Sequence, residues 1–235
     1  MLIISYSHLR LRRDKDMEIF RRHEKLLDLQ RLKSSSVLVV GAGGLGSPVL
    51  EMLCRVGVGK LVVAENASVD EPDLNRQILY TREDLGKSKL RKVVERLKGI
   101  RPDLEIEALE RRVDEGFELP KVDCVALCVD NFETRLLVDE KASAAGIPVV
   151  NAGIKGYYGQ VNTVLPGRTV NMRRLFKNAR TEREIPVYPP TALLVGTLQA
   201  HEVIEVLLDR PQLAGKMLIV DLLNLSFEVI PLMPE

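Results

Sequence analysis

The chain lacks several features that would point to a particular class of protein. It has three cysteines in 235 residues, which cannot form a paired disulfide framework. Its 34 basic and 33 acidic residues leave a formal net charge of +1, so no overall basic field favours nucleic acid or an anionic membrane. No run reaches the roughly 18 apolar residues of a membrane-spanning helix, and the N-terminal residues lack the small-residue cleavage site of a secretory signal. We therefore expect a soluble, cytoplasmic protein that binds neither membranes nor nucleic acid.

Short apolar runs alternate with amphipathic segments of about a dozen residues along most of the chain. The runs predict strands at 37–40, 60–66, 104–109, 122–131, 147–153 and 159–167, and two more within 216–232. The amphipathic segments predict helices at 45–56, 83–98, 133–145 and 191–208. This order is typical of an α/β protein, with a Rossmann-like, doubly wound, mainly parallel sheet and a C-terminal antiparallel extension.

The ends of the pattern suggest a division into two parts. Residues 1–35 are rich in charge and have an approximate apolar stripe, which predicts an N-terminal helical segment. We expect residues 36–235 to form a single domain. Within it, residues 168–190 are irregular and basic and end in Pro189-Pro190, as expected for a loop that crosses over the domain.

A glycine-rich turn follows the first predicted strand and opens a helix, with the sequence Gly41-Ala42-Gly43-Gly44-Leu45-Gly46. Glycines in such a turn let backbone N–H groups approach a phosphate, and the start of the helix adds partial positive charge. Glu65 stands at the end of the second strand, where a carboxylate accepts hydrogen bonds from a ribose diol or caps a helix. These features fit NAD, FAD and ATP equally well.

Two cations and an acid favour ATP over a dinucleotide. Arg76 and Lys89 follow the second strand, and a triphosphate that is being cleaved needs positive charge at that place. Asp130 ends the fourth predicted strand and is available to hold Mg²⁺, a hard cation that prefers carboxylate and phosphate oxygens. The alternatives are a solvated arginine for Arg76, the neighbouring Lys87 in place of Lys89, and a helix-cap role for Asp130.

Five segments, taken together and in this order, resemble the ThiF/MoeB/HesA family. They are GAGGLGSP, LNRQILY, DLGKSKL, CVDNFETR and VGTLQAHEVIEVL. The family comprises ubiquitin-activating-like enzymes that adenylate the C-terminal glycine of a small ubiquitin-fold sulfur-carrier or modifier protein. The resemblance extends from about Arg22 to about Leu232, so it implies an adenylation domain over nearly the whole chain.

The resemblance also implies a set of site residues. ATP would lie over Gly41, Gly43, Gly44 and Gly46, with Glu65 on its ribose. Around it would lie Arg76, Gln77 and Lys89 at the phosphates, Asp130 at the metal, and Asn131 and Arg135 beside the nucleotide. An N-terminal arginine of the family reaches the site of the neighbouring subunit, which implies a homodimer. Arg22 matches that position, with Arg21 as its rival, and the partner protein is expected to end in Gly-Gly.

Four departures from the family pattern bear on this interpretation. The two acids usual after the second strand are reduced to Glu65, since Ala67 replaces the second. Pro72-Asp73 replaces the usual Ser-Asn, and the charge of Asp73 would repel a triphosphate unless a cation offsets it. The zinc-binding C-x-x-C pair falls on residues 171–174, which contain no cysteine, and we therefore expect no zinc. The segment 178–188 also lacks the reactive cysteine of some relatives.

Three other functions remain open at this point. Ala67 and Asp73 would also suit a degenerate ATP-binding sensor or scaffold of the same fold. The second is a relative that adenylates a small molecule or a tRNA base. The near-neutral net charge counts against this function. An NAD-linked oxidoreductase is the third, and the cations at Arg76 and Lys89 count against it.

Overall fold

The structure is a computed structural model that describes residues 15–177, 179 and 185–232. Its strands are β1 (Ser36–Val40), β2 (Lys60–Ala64), β3 (Glu105–Leu109), β4 (Cys124–Leu127), β5 (Val149–Lys155), β6 (Tyr158–Val164), β7 (Lys216–Asp221) and β8 (Ser226–Pro231). Its α-helices are α1 (Leu29–Ser34), α2 (Gly46–Val56), α3 (Lys89–Ile100), α4 (Phe132–Ala144), α5 (Met172–Leu175) and α6 (Pro189–Leu207). Short 3₁₀ helices cover Lys15–Phe20, Glu71–Asn75 and Arg82–Asp84.

The strands form one mixed sheet in the described residues, with the order β3-β2-β1-β4-β5-β6-β7-β8. The pairs from β3 to β5 are parallel, and the pairs from β5 to β8 are antiparallel. The predicted fold, a doubly wound parallel sheet with a C-terminal antiparallel extension, is confirmed. The chain reverses the direction of sheet growth between β1 and β4, and ligands of such sheets bind at this switch point.

The central strands are apolar throughout because both faces of the sheet are covered. Val37 and Val39 of β1 belong to a core shared with α2, α3 and α6, whereas Leu38 and Val40 face a second core shared with α4. Gln199 of α6 ties that helix to the sheet, since its side-chain amide donates to the carbonyls of Leu127 (2.8 Å) and Val150 (3.0 Å). None of the described helices is long and apolar enough to cross a membrane.

Two helix predictions were wrong at their N-terminal ends. The helix predicted over 83–98 begins at Lys89, because Gly86 adopts a positive φ of 75° and Ser88 then caps the helix by accepting from the Arg91 amide. The last predicted helix begins at Pro189, two residues earlier than expected, since proline suits the first turn of a helix.

The N-terminal segment is not continuously helical where the structure describes it. Residues 21–28 form turns between the 3₁₀ helix and α1, and residues 1–14 lie outside the described residues. Phe20, Leu29 and Leu32 are buried in the same core as α2. The crossover segment contains α5, although residues 178 and 180–184 also lie outside the described residues. The division at residue 35 stays a prediction.

Candidate active site

A cavity of about 1020 Å³ opens at the carboxyl ends of β1, β2 and β4. It is the position that a doubly wound sheet gives to its ligand. The structure brings most of the predicted site residues to its wall: Gly41, Gly43, Gly44, Glu65, Arg76, Gln77, Lys89, Asp130, Asn131 and Arg135. Gly46 and Arg22 do not line it.

The glycine turn depends on close backbone contacts. Gly41 has a φ of 92°, which favours glycine, and a Cβ on Gly46 would lie 2.0 Å from the Gly41 carbonyl oxygen. Gly46 therefore lets α2 start directly against the turn, and it does not contact the cavity. Gly43 and Gly44 face the cavity, where the backbone is open to a ligand.

Glu65 fixes the glycine turn to the end of β2. Its Oε2 accepts from the Ala42 amide at 2.9 Å, and its Oε1 accepts from the amides of Asn66 and Ala67, both at 2.8 Å. A carboxylate oxygen has more than one lone pair, so these bonds leave it able to accept from a hydroxyl. Binding of ribose by Glu65 stays a prediction.

Lys89, rather than Lys87, lies at the cavity. Lys89 is the first residue of α3, and its side chain is 9% exposed and lines the wall. Lys87 is exposed and is not a lining residue. The Ser88 cap sets the start of the helix and thereby the direction of the Lys89 side chain.

Arg76 and Gln77 follow the short 3₁₀ helix over Glu71–Asn75 and reach the same wall. Arg76 donates through Nη1 to the Pro72 carbonyl and to Asn75 Oδ1, both at 2.9 Å. A Cβ built on Gly44 would lie 3.3 Å from the Arg76 stem, so this side chain lies over the glycine turn. The solvated alternative for Arg76 does not fit this placement.

Asp73 is at the centre of the cationic wall. Its Oδ2 accepts from Lys89 Nζ at 2.8 Å and from the Asp70 amide at 3.0 Å, and its Oδ1 accepts from Gln77 Nε2 at 2.5 Å. Arg76 Nη2 lies 3.9 Å from the same Oδ1. Burial by itself would raise the pKa of Asp73, but the Lys89 and Asp70 hydrogen bonds outweigh it and hold that pKa below its usual value.

Asp130 is exposed at the cavity and makes no hydrogen bond or ion pair with any residue that the structure describes. The cap of α4 is instead Asn131, whose Oδ1 accepts from the Thr134 amide at 2.8 Å. The helix-cap alternative for Asp130 therefore fails. An unpaired carboxylate at the cavity edge fits a site for Mg²⁺, which binds through few protein carboxylates together with phosphate oxygens.

Arg135 reaches the cavity wall with its donors already engaged. The buried guanidinium donates to the carbonyls of Val129 and Ala152 and to Asn151 Oδ1. Its burial lowers the pKa to about 10. These contacts link the segment after β4 to the middle of β5, so the Arg135 guanidinium supports the cavity wall.

Arg22 lies away from the cavity of its own chain. The adjacent His23 ring nitrogen contacts the Val56 carbonyl at 3.2 Å, which places this segment at the C-terminal end of α2. Eleven residues of α2, roughly 15 Å along the axis, separate that end from the glycine turn. Arg22 and its rival Arg21 are both exposed, and Arg21 pairs with Glu18 at 2.8 Å on the surface.

Sequence reasoning missed several cavity residues. Arg111 and Arg112 follow β3, and Lys155, Tyr158 and Gln160 come from the hairpin of β5 and β6. Arg111 donates to the Gly116 carbonyl at 3.1 Å. The rule that found Glu65 and Asp130, a search of strand ends, would also have found Arg111 and Arg112 after β3.

The fold and the cavity define a doubly wound α/β protein with its ligand site at the switch point of the sheet. The family model for the ThiF family matches residues 15–235, and the chain belongs to this family. The family expected from the sequence motifs is thereby confirmed.

Two curated relatives resemble the chain over most of its length. The SAMP-activating enzyme E1 of Haloferax volcanii is 36% identical over 211 residues, which are 86% of this chain and 78% of that protein. The sulfur carrier protein adenylyltransferase of Thermus thermophilus is 38% identical over 214 residues, or 84% of this chain and 79% of the relative.

Solved structures of Escherichia coli MccB have the same fold. The crystal structure of MccB with ATP superposes with a TM-score of 0.84 at 18% identity, over 95% of this chain and 73% of that one. The structure with succinimide gives a TM-score of 0.80 at 20% identity, and the chain spans 66% of its length.

The close contact between Gly46 and the Gly41 carbonyl leads to a prediction about the stability of the chain. Gly46→Ala places a methyl group against the Gly41 carbonyl, and we expect a destabilisation of at least about 2 kcal/mol. Gly44→Ala meets only the flexible stem of Arg76 and serves as the control, which we expect to unfold within about 1 kcal/mol of the wild type. Urea unfolding measures both variants. Equal stabilities of the two would show that Gly46 is not needed for packing.

Proposed function

We propose that the chain is an ATP-dependent adenylyltransferase that activates the C-terminal carboxylate of a ubiquitin-fold sulfur-carrier or modifier protein. The observation that supports this most strongly is the convergence of Arg76, Gln77 and Lys89 on one wall of the switch-point cavity, beside the glycine turn. Family membership and the names of the relatives point to the same reaction.

The reaction needs alignment and charge rather than an enzyme nucleophile. An oxygen of the partner's terminal carboxylate attacks the α-phosphorus of ATP, and the bond between that phosphorus and the oxygen bridging to the β-phosphorus breaks. The products are an acyl-adenylate and pyrophosphate. Arg76 and Lys89 would stabilise the negative charge that develops on the departing pyrophosphate, and the glycine turn would hold the phosphates in line.

Asp130 is the residue that would hold Mg²⁺. The metal supplies positive charge to the phosphates when it is bound. We propose no structural zinc, because the position of the family's first zinc pair has another use in this chain. Asn171 there caps α5, its Oδ1 accepting from the Arg174 amide at 3.0 Å.

The far side of the cavity suits the tail of a partner protein. The β5 and β6 hairpin lines it with Gly153, Tyr158 and Gln160, and Ile185 and Val187 line it from the crossover segment. A Gly-Gly terminus has no side chains and needs little room in the cavity, and we propose that the partner ends in this way. The proposed assembly is a homodimer in which Arg22 reaches the cavity of the other subunit.

A second candidate is a sensor or scaffold that binds ATP without turnover. The engagement of Lys89 and Gln77 by Asp73 favours it, since these groups are then not fully available to phosphate. Exchange of pyrophosphate into ATP that depends on a carrier protein distinguishes the two, because a sensor would bind ATP and show no exchange.

Removal of either cation should reduce the reaction. We expect Arg76→Ala and Lys89→Ala each to lower carrier-dependent ATP–pyrophosphate exchange by about 10²-fold, the usual scale for the loss of one charge-stabilising group. Lys87→Ala is the matched control on the same segment, and it should retain exchange because Lys87 is exposed outside the cavity. Full exchange in Arg76→Ala or Lys89→Ala would refute the proposed role of that residue.

The homodimer with Arg22 in trans is tested by complementation. Arg22→Ala and Lys89→Ala should each be impaired alone, whereas their equal mixture should recover about a quarter of the wild-type exchange after subunit exchange, since one intact site forms in each mixed dimer. Arg21→Ala is the comparison, and it should be active by itself if Arg22 has the role in trans. An impaired Arg21→Ala together with an active Arg22→Ala would assign that role to Arg21. A mixture no better than its components would contradict the role in trans.

The absence of zinc is tested by elemental analysis and chelation. Purified protein should contain no stoichiometric zinc, and EDTA should leave its thermal unfolding unchanged, because a structural zinc site would otherwise supply part of the folding free energy. A midpoint that falls on chelation and recovers on adding zinc would show that a zinc site exists.

A further inference from the structure

Asp73 provides a negative charge inside the wall that the proposed function assigns to the phosphates. Asp73 is 9% exposed. Its carboxylate accepts hydrogen bonds from Lys89 and Gln77, two of the three groups expected to bind the triphosphate. The third, Arg76, lies 3.9 Å from it. Lys89 and Gln77 therefore donate to Asp73, and the same groups would have to donate to phosphate oxygens when ATP binds.

The hydrogen bonds around Gln77 show how firmly Asp73 holds this wall. Gln77 is 3% exposed and donates from Nε2 to Asp73, while its buried Oε1 has no hydrogen-bond partner among the described residues. Among the described residues, a single hydrogen-bonding contact on its nitrogen therefore orients this amide. Asp73 is that contact.

The charge of Asp73 offsets one of the two cations on this wall. Free ATP brings up to four negative charges, and it would approach Arg76 and Lys89 with a carboxylate between them. A divalent cation bound to the phosphates cancels about half of that charge, so MgATP depends less on Lys89 than free ATP does. Because Asp73 occupies Lys89, it should weaken the binding of free ATP more than the binding of MgATP.

We infer that Asp73 is a specificity-determining residue that competes with nucleotide phosphates for Lys89 and Gln77, and thereby selects the metal complex of ATP over free ATP. This inference rests on the proposed ATP-dependent function. Asparagine has nearly the shape of aspartate and keeps one acceptor oxygen, so Asp73→Asn removes the charge with little change of size.

Calorimetric binding of ATP, with EDTA or with excess Mg²⁺, tests the inference on the full chain. Asp73→Asn should tighten free ATP by about tenfold and MgATP by no more than about threefold. Glu71→Gln removes an equally charged residue two positions away, which pairs with Arg82 at the surface, and it should change neither affinity. Tightening of both forms equally, or of neither, would overturn the inference.

A double variant separates competition from a general effect of charge. In a Lys89→Met background, Asp73→Asn should lose most of its effect on free ATP, because the contested ammonium is absent. If Asp73→Asn tightened free ATP equally well in the Lys89→Met background, the inference would be overturned. Weaker binding of MgATP by Asp73→Asn alone would also overturn it, because that result would make Asp73 a metal ligand. Asp73→Ser is the second variant should Asp73→Asn unfold. Failure of the wild type to bind ATP in any form would instead refute the proposed function.

Discussion

A lysine ammonium that is nine-tenths buried needs a negative partner, and this requirement organises the site. Lys89 obtains that partner from Asp73 at 2.8 Å, and the same carboxylate orients Gln77. A charge buried without a partner would cost several kcal/mol. The Asp73 carboxylate thus holds together the wall that we propose for the phosphates. A bound triphosphate that displaced Asp73 from Lys89 would have to supply the negative partner in its place. On the proposed function, affinity and selectivity for the nucleotide would both follow from how these two anions share the cations.

The sheet brings these groups together although they are far apart in sequence. Parallel β1, β2 and β4 end at one edge, where Gly41, Glu65 and Asp130 follow them. Glu65 bonds to the glycine turn, and Arg135 links the segment after β4 to the middle of β5 through backbone carbonyls. The cavity is therefore built on short, firmly bonded connections between strands and helices. Rigid support of this kind is what a reaction without an enzyme nucleophile requires, since its rate depends on alignment and fixed charge.

Much of this arrangement could be predicted from the sequence because it follows from local pattern. Continuous apolar runs and the glycine turn predicted the doubly wound sheet and its switch point, and the strand-end rule located Glu65 and Asp130. The predicted start of α3, residue 83, was wrong because Gly86 interrupts an otherwise helical pattern through its positive φ. The pairing of Asp73 with Lys89, and the carbonyl partners of Arg135, depend on tertiary packing that no periodicity encodes. Arg111 and Arg112 belong to none of the family motifs, and only the strand-end rule, applied to the predicted strand at 104–109, could have found them.

The most direct test of the account is a crystal structure of the chain with Mg²⁺ and an ATP analogue that cannot be cleaved between its α- and β-phosphates. We expect phosphate oxygens within hydrogen-bond distance of Arg76, Gln77 and Lys89, with the metal on Asp130. A triphosphate bound elsewhere, with Lys89 still paired only to Asp73, would contradict it.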